Sequence, residues 1–314
     1  MRFSRLLYLL LLFLTVACEK EIKVDLPPAE AKLVVEGRIE QDQMAYVILT
    51  NSTGFFEPTD LTSLEGLFVH DARVTVTVDG IPFVLPETCL NELEPGLRSV
   101  IAEMLGLNLD NNPINYCVYI NPILIGQPDK TYLLEIETGD ETYEAETKIP
   151  NPVALDSLWY EPAVGNSLGF VWAQISDPDT IGNAYRWFAR RINPGADGND
   201  KDSRYIPPFG SAFQDKFING QTFSFGFQRG EADNEAELPP EERGYFKTGD
   251  TIVIKFTSID QPHYQFLRIF ETEVFNNGNP FAAPTSIPSN IEGGALGIWG
   301  GYGAAYDTIV ALPR

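Results

Sequence analysis

Arg73-Val74-Thr75-Val76-Thr77-Val78 decides the fold class. Branched apolar and short polar residues alternate without a break, which is the two-residue period of a half-buried strand. Asp79-Gly80 follows as a tight-turn pair. Working outward, similar short runs rich in Val, Ile, Tyr and Thr occupy Lys32 to Ile39, Ala45 to Thr50, Cys117 to Asn121, Tyr132 to Thr138 and Glu141 to Ile149, with Gly139-Asp140 between the last two. Six or seven short strands in about 120 residues predict a β-sandwich.

Pro150-Asn151-Pro152 is the best candidate boundary, because two prolines in three residues cannot continue a central strand. Strand patterns resume beyond it at Ser157 to Glu161, Phe170 to Ser176, Ala184 to Ile192, Thr222 to Gln228 and Thr251 to Ser258, with a last one at Thr308 to Leu312. The expected architecture is mainly β: two sandwich-like domains of the immunoglobulin or fibronectin kind, residues 32–150 and 151–314. Long acidic loops fall at 193–208 and 229–248. A short helix is expected inside the first domain, where Leu97, Val100, Ile101, Met104 and Leu105 recur at helical spacing between Pro95-Gly96 and Gly106. A second is expected near 261–275, opened by Ser258-Ile259-Asp260-Gln261-Pro262 and stopped by Asn276-Asn277-Gly278.

The chain has 314 residues with 22 Lys and Arg against 44 Asp and Glu, a formal charge of −22. Nucleic-acid binding needs clustered basic residues, so that class is excluded. Two His and three Cys give little material for a histidine-based triad or a His-rich metal site. Gly-x-Ser-x-Gly and His-Glu-x-x-His are absent. No catalytic residue, cofactor or metal site is expected. A hydrolase built from spatially assembled carboxylates is the least favoured class.

The N-terminus speaks about location. Arg2 and Arg5 precede the apolar run Leu6 to Ala17, too short for a bilayer-crossing helix, which needs ~20 residues. Basic start, short apolar stretch and small residue before a cut describe a secretory signal, residues 1–17. Leu14-Thr15-Val16-Ala17-Cys18 resembles a bacterial lipobox, with Thr15 where the usual leucine stands, so Cys18 is the expected lipidation site; the plainer reading is a secretory signal with an incidental cysteine. Residues 18–31, charged and Pro-containing, would then tether the body to the lipid. Cleavage removes two Arg and no acid and takes the charge from −22 to −24, so an anionic membrane surface would repel the body and the lipid would have to hold it.

With Cys18 acylated, Cys89 and Cys117 remain. An oxidising compartment favours a disulfide between them, worth roughly 3–4 kcal/mol in the chain-entropy picture. Two independent buried thiols are the alternative.

Several segments together resemble a known family. These are Leu33-Val34-Val35-Glu36-Gly37, Tyr132-Leu133-Leu134-Glu135-Ile136 followed by Thr142-Tyr143-Glu144-Ala145, and Ser258-Ile259-Asp260-x-x-x-Tyr264-x-Phe266-Leu267-Arg268. Most specific is Asn279-Pro280-Phe281-x-x-Pro284-x-x-x-Pro288-Ser289-Asn290-Ile291-x-Gly293-Gly294-x-Leu296-Gly297. The chain is similar over nearly its whole mature length to the Bacteroidota outer-membrane lipoproteins called domain of unknown function 4249; the Cys-flanked helical insertion at 89–117 departs from that pattern. The resemblance implies lipid anchoring in the outer membrane, on either face, beside a TonB-dependent nutrient receptor. It implies no catalytic residue. A non-enzymatic accessory or small-ligand-binding role is therefore expected, with stand-alone glycan or metal capture as the alternative.

Candidate interaction residues are Trp299 and Tyr302, set among glycines at 293–303, and Tyr205 and Phe209 in the densest aromatic run near Pro207-Pro208. Core packing is the competing reading of each. His70 and His263 are read as ordinary surface or capping residues. The oxygen-rich stretches Asp197 to Asp202 and Asp177-Pro178-Asp179 are read as solvated turns, since they lack the spacing of a calcium loop.

Overall fold

The computed structural model describes residues 30–54, 60–107, 114–165, 167–195, 198–231, 238–276 and 285–313. Cys18, the signal, almost all of the tether and the Asn279 to Pro284 part of the motif lie outside them. Ala31–Arg314 form one compact unit; of the other unit, Met1–Glu30, only Glu30 is described.

The protein is mainly β. An eight-stranded sheet contains, in spatial order, β12 (Ala212–Gln214), β11 (Ala184–Arg191), β15 (Thr251–Ile259), β17 (Leu296–Val310), β1 (Leu33–Glu40), β2 (Met44–Asn51), β6 (Cys117–Ile125) and β5 (Glu87–Cys89). A second sheet orders β16 (Ile291–Glu292), β8 (Glu141–Lys148), β7 (Thr131–Thr138), β3 (Arg73–Val78) and β4 (Ile81–Leu85). A third centres on β10 (Leu168–Ser176), paired with β9 (Ser157–Val164), β13 (Thr222–Phe227) and β14 (Phe246–Lys247). Asp79 and Gly80, at φ 51° and 77°, make the expected tight turn from β3 to β4.

The long sheet serves both halves of the chain. β1 pairs in parallel with β17, Gly37 opposite Trp299 and Glu40 opposite Tyr302, so Pro150 marks no break in the sheet. Two sandwich-like cores lie against alternate residues of this sheet. One joins Val35, Ile39 and Val47 to Val74, Val76, Leu134 and Ile136. The other joins Trp187, Ile254 and Phe256 to Tyr160, Val171 and Ile175. The first core also takes Ile291, Ala295 and Trp299 from the far end of the sequence.

The glycine-rich tail, expected to contain only a final strand, instead forms β17, fifteen residues long. Its glycines serve close approach. A Cβ on Gly303 would stand 2.0 Å from the Pro150 carbonyl oxygen, and one on Gly301 2.4 Å from that of Lys148. Only a residue without a side chain lets the strand lie that close to the 148–150 backbone.

Intervening positions of the long sheet face two helices, α2 (Pro95–Leu105) and α3 (Gln261–Asn276), while a short α1 (Leu61–Glu65) precedes β3. α2 is the expected insertion, with Pro95 in its first turn and Gly106 left-handed at φ 71° after its end. Its buried side differs from the expected stripe. Leu97 and Val100 are exposed, while Ile101 packs with Tyr46, Leu90, Val118 and Ile120. On α3, Tyr264 and Leu267 pack on Phe188, Ile259 and Tyr302, whereas Phe270 and Val274 are exposed. Asp260 opens α3 by accepting the backbone N–H of His263 at 3.0 Å, and its second oxygen accepts the Thr147 hydroxyl of β8 at 2.8 Å. Cys89 and Cys117 lie opposite one another on β5 and β6 and are joined by a disulfide.

A candidate cation and aromatic binding surface

The helix-facing side of the long sheet carries a connected set of charged and aromatic side chains. Period-two alternation sends Val35, Gly37 and Ile39 of β1 into the first core and Glu36, Arg38 and Glu40 to the opposite side. The same alternation on β11 places Arg186, Phe188 and Arg190 there, on β15 Lys255, and on β17 Tyr302 and Tyr306.

Phe188 is the hub. Arg38, Arg186 and Lys255 place their cationic groups 5.9, 5.3 and 5.3 Å from its ring centre, close enough for cation–π attraction. Arg38 also lies over the Tyr302 ring at 4.1 Å, and Lys255 is 5.4 Å from Tyr205. Glu40, almost wholly buried, is shared: it pairs with Arg38, accepts Lys255 Nζ at 2.6 Å and accepts the Tyr306 hydroxyl at 2.9 Å. Arg186 pairs with Glu271 of α3 at 3.0 Å, and Arg190 with Asp200 at 3.1 Å and with Glu103 of α2.

The electrostatics follow from one carboxylate serving two cations. Burial opposes the Glu40 charge, but Arg38 and Lys255 beside it hold its pKa down to about 2. Burial, then Arg38, bring Lys255 down to about 7 against the pull of Glu40. Burial also opposes the charge of Arg38, yet Glu40 next to it carries its pKa upward. The side chain of Arg38 keeps 22% of its area open and Glu36 beside it is exposed, whereas Phe188, Glu40 and Lys255 are buried beneath them. Arg38, partly open and lying over the Tyr302 ring, is the member of this set placed to meet a planar or anionic group.

His263, expected at the surface or as a cap, is instead a core residue at 2% exposure. Its Nε2 shares a hydrogen bond of 2.9 Å with the Tyr302 hydroxyl, and Nδ1 has no partner among the described residues. Burial, then Arg186 and Arg38, push its pKa down to about 3, so it is neutral. His70 is exposed and contacts Glu87.

The sequence-predicted interaction residues part company. Trp299 is fully buried and closed to any partner, because Gly37 across the parallel pair leaves room for its ring and Tyr132 accepts its indole N–H at 3.0 Å. Tyr302 is 7% exposed and acts as a wall under Arg38. Tyr205 is half-buried beside Tyr306 and Lys255 and belongs to the surface. Phe209 is exposed and touches Phe275 at the outer end of α3. Arg38, Glu40, Phe188 and Lys255 carried no local signal, because nothing in a single strand says which other strand lies beside it. The one available clue was charge at alternate positions inside strands otherwise rich in Val and Ile.

The described part of the C-terminal motif is structural. Asn290 accepts the Trp299 backbone N–H at 2.9 Å and donates to its carbonyl at 2.8 Å, so a side chain stands in for a strand partner. Ser289 donates to the Ala295 carbonyl at 3.2 Å and accepts the Ile291 N–H at 3.1 Å. The described carboxylates of the acidic turns are engaged by protein groups: Asp202 by Arg191, Asp200 by Arg190, and Asp177 by the Tyr185 hydroxyl and the Gly220 N–H. A groove of about 320 Å³ on the second sheet is lined by Glu135, Glu144, Glu146 and Glu292.

Comparison with known proteins gives one family match, domain of unknown function DUF4249, over residues 19–307. No curated protein matches.

Proposed function

The chain belongs to the DUF4249 family, and from that premise we propose that it is a lipid-anchored, non-enzymatic outer-membrane protein that works as the accessory or ligand-binding partner of a TonB-dependent nutrient receptor. Cys18, placed after a basic start and a twelve-residue apolar run, carries the proposal. Acyl chains on that sulfur would hold a body whose charge of −24 after cleavage repels an anionic surface. The Arg38–Phe188–Lys255 surface is the place where such a protein would hold an anionic nutrient or an acidic segment of the receptor.

Two measurements test this. Cys18→Ser should abolish incorporation of labelled palmitate and release the protein from the membrane fraction. Affinity capture of the tagged protein from detergent-solubilised envelopes should recover a TonB-dependent receptor, and Arg38→Ala should weaken that recovery or the binding of an anionic ligand. Capture without any such receptor, together with anionic-ligand binding retained by the isolated protein, would favour stand-alone capture instead.

A further inference from the structure

The edge of the long sheet gathers a second set of chemical groups. His70, Glu87, Cys89 and Cys117 bring one imidazole nitrogen, one carboxylate oxygen and two sulfurs within 4.8 Å of one another. Glu87 and Cys89 are two apart on β5 and share a face; Cys117 is directly opposite Cys89 on β6. His70 comes from the turn before β3 and touches Glu87.

With the disulfide closed, the sulfurs are poor ligands and only His70 and Glu87 remain. With it open, the same four atoms make a Cys₂-His-Glu set, the donor types and number that tetrahedral Zn²⁺ takes. We propose that this cluster is a reduction-gated zinc site, a disulfide when oxidised and a four-ligand metal centre when reduced.

The scaffold for it does not depend on the disulfide. β5 and β6 are paired through Glu87–Tyr119 and Thr88–Val118 as well as through the cysteines. The turn carrying His70 is pinned on both sides by Tyr119, whose hydroxyl donates to the Val69 carbonyl at 2.8 Å and accepts the Ala72 N–H at 3.1 Å. The Val69 N–H adds a bond to the Leu49 carbonyl at 2.9 Å. Glu87 is oriented by the Asp71 N–H at 3.0 Å and lies 3.3 Å from the Tyr119 hydroxyl, the kind of outer-shell support that ligating carboxylates have. The strongly negative chain raises the local concentration of divalent cations.

The chemistry balances. Two equivalents of a thiol reductant donate two electrons and two protons to the Cys89–Cys117 bond and leave as their own disulfide, giving two protein thiols. Zn²⁺ binding then expels two protons as both sulfurs bind as thiolates.

The test uses the full chain with Cys18→Ser, which removes the only other sulfhydryl. Co²⁺ replaces Zn²⁺ as a visible probe, and a phosphine reductant is used because it does not compete for metal. The reduced chain should bind one Co²⁺ with thiolate-to-metal charge-transfer absorption and tetrahedral ligand-field bands, both erased by Zn²⁺. The oxidised chain should show neither. Tyr119→Phe, which keeps all four ligand residues but unpins the His70 turn, should weaken Co²⁺ binding by about 10–100-fold, and exposed His70→Ala should weaken binding at least as much with its oxidised fold intact by circular dichroism. Equal binding by the oxidised and reduced chains overturns the proposal. So does a charge-transfer band unmoved by both His70→Ala and Glu87→Gln, or loss of the native circular dichroism on reduction alone.

Discussion

Replacing Trp299 by alanine separates a packing role for the C-terminal motif from a binding role. The indole is fully buried. A side chain of that kind covers roughly 150–250 Å², and at about 25 cal/mol per Å² its removal forfeits roughly 4–6 kcal/mol. Partial collapse around the gap brings Trp-to-Ala losses to about 3–5 kcal/mol. The Tyr132 carbonyl, which accepts the indole N–H at 3.0 Å, loses its donor as well, which places the expected loss toward the upper end of that range. Gly37 supplies the second arm of the experiment. A Cβ there would stand 2.6 Å from Cε3 of Trp299, so Gly37→Ala alone should cost about 1–3 kcal/mol by overpacking. In the Trp299→Ala background the new methyl enters vacated space and its cost should vanish, a coupling of about 1–3 kcal/mol. Urea denaturation of the full-length Cys18→Ser chain, followed by far-ultraviolet circular dichroism, reads all four corners of the cycle. A Trp299→Ala loss below about 1 kcal/mol, or strict additivity of the two changes, would refute the packing argument. A Trp299→Ala chain of unchanged stability that no longer captures a partner would restore the indole as an interaction residue.

Three further outcomes follow from the buried charges. Glu40→Gln removes the carboxylate shared by Arg38 and Lys255; Lys255 can shed its proton but Arg38 cannot, so denaturant titration at neutral pH should show a loss of about 3–5 kcal/mol. Lys255, at about 7 when folded, binds fewer protons than in the unfolded chain, where its ordinary value is 10.5. Its contribution is thus fully present only above the unfolded value and is lost as pH falls through about 7. Stability should therefore rise with pH from about 7 until tyrosines such as Tyr46 and Tyr306, whose pKa values burial raises, begin to oppose it near their ordinary value of 10. Lys255→Met should flatten that rise. Asp260→Ala, which deprives α3 of its first-turn acceptor and Thr147 of its partner, should cost about 1–2 kcal/mol and lower the thermal midpoint.

The strands were legible because their signals are local. Alternation in Arg73 to Val78 and the paired turns Asp79-Gly80 and Gly139-Asp140 report on neighbouring residues alone, and the strands begin and end within a few residues of the expected positions. β4 was not legible: Ile81-Pro82-Phe83-Val84-Leu85 has no clean alternation and a proline, yet an edge strand tolerates both, and Ile81 and Val84 are exposed there. β17 was misread for a different reason. Glycines at 297, 300, 301 and 303 lower the intrinsic preference for a strand, but pairing with β1 and β15, both distant in sequence, holds them in one. The α2 stripe misled because Leu97 and Val100 obey the period without having a core above them. Cys89 and Cys117 were readable as a pair from count and compartment, while the nearness of His70 and Glu87 required the turn that Tyr119 fastens.

The position of β17 explains why the candidate surface escaped motif reading altogether. β1 would be an exposed edge if the first 120 or so residues stood alone; β17 covers it in parallel and also pairs with β15. That single strand brings Arg38 and Glu40 from the start of the chain into contact with Phe188, Lys255, Tyr302 and Tyr306 from its second half. Neither half contains the surface. Arg38 without Lys255 is one more charge on a strand, and Lys255 without Glu40 would be a buried amine with no carboxylate. Placing several charged groups at buried or half-buried positions of the shared sheet has a desolvation cost that packing alone does not require. The proposed binding role gives that cost a purpose, and the surface's dependence on both halves ties such binding to completion of the whole fold.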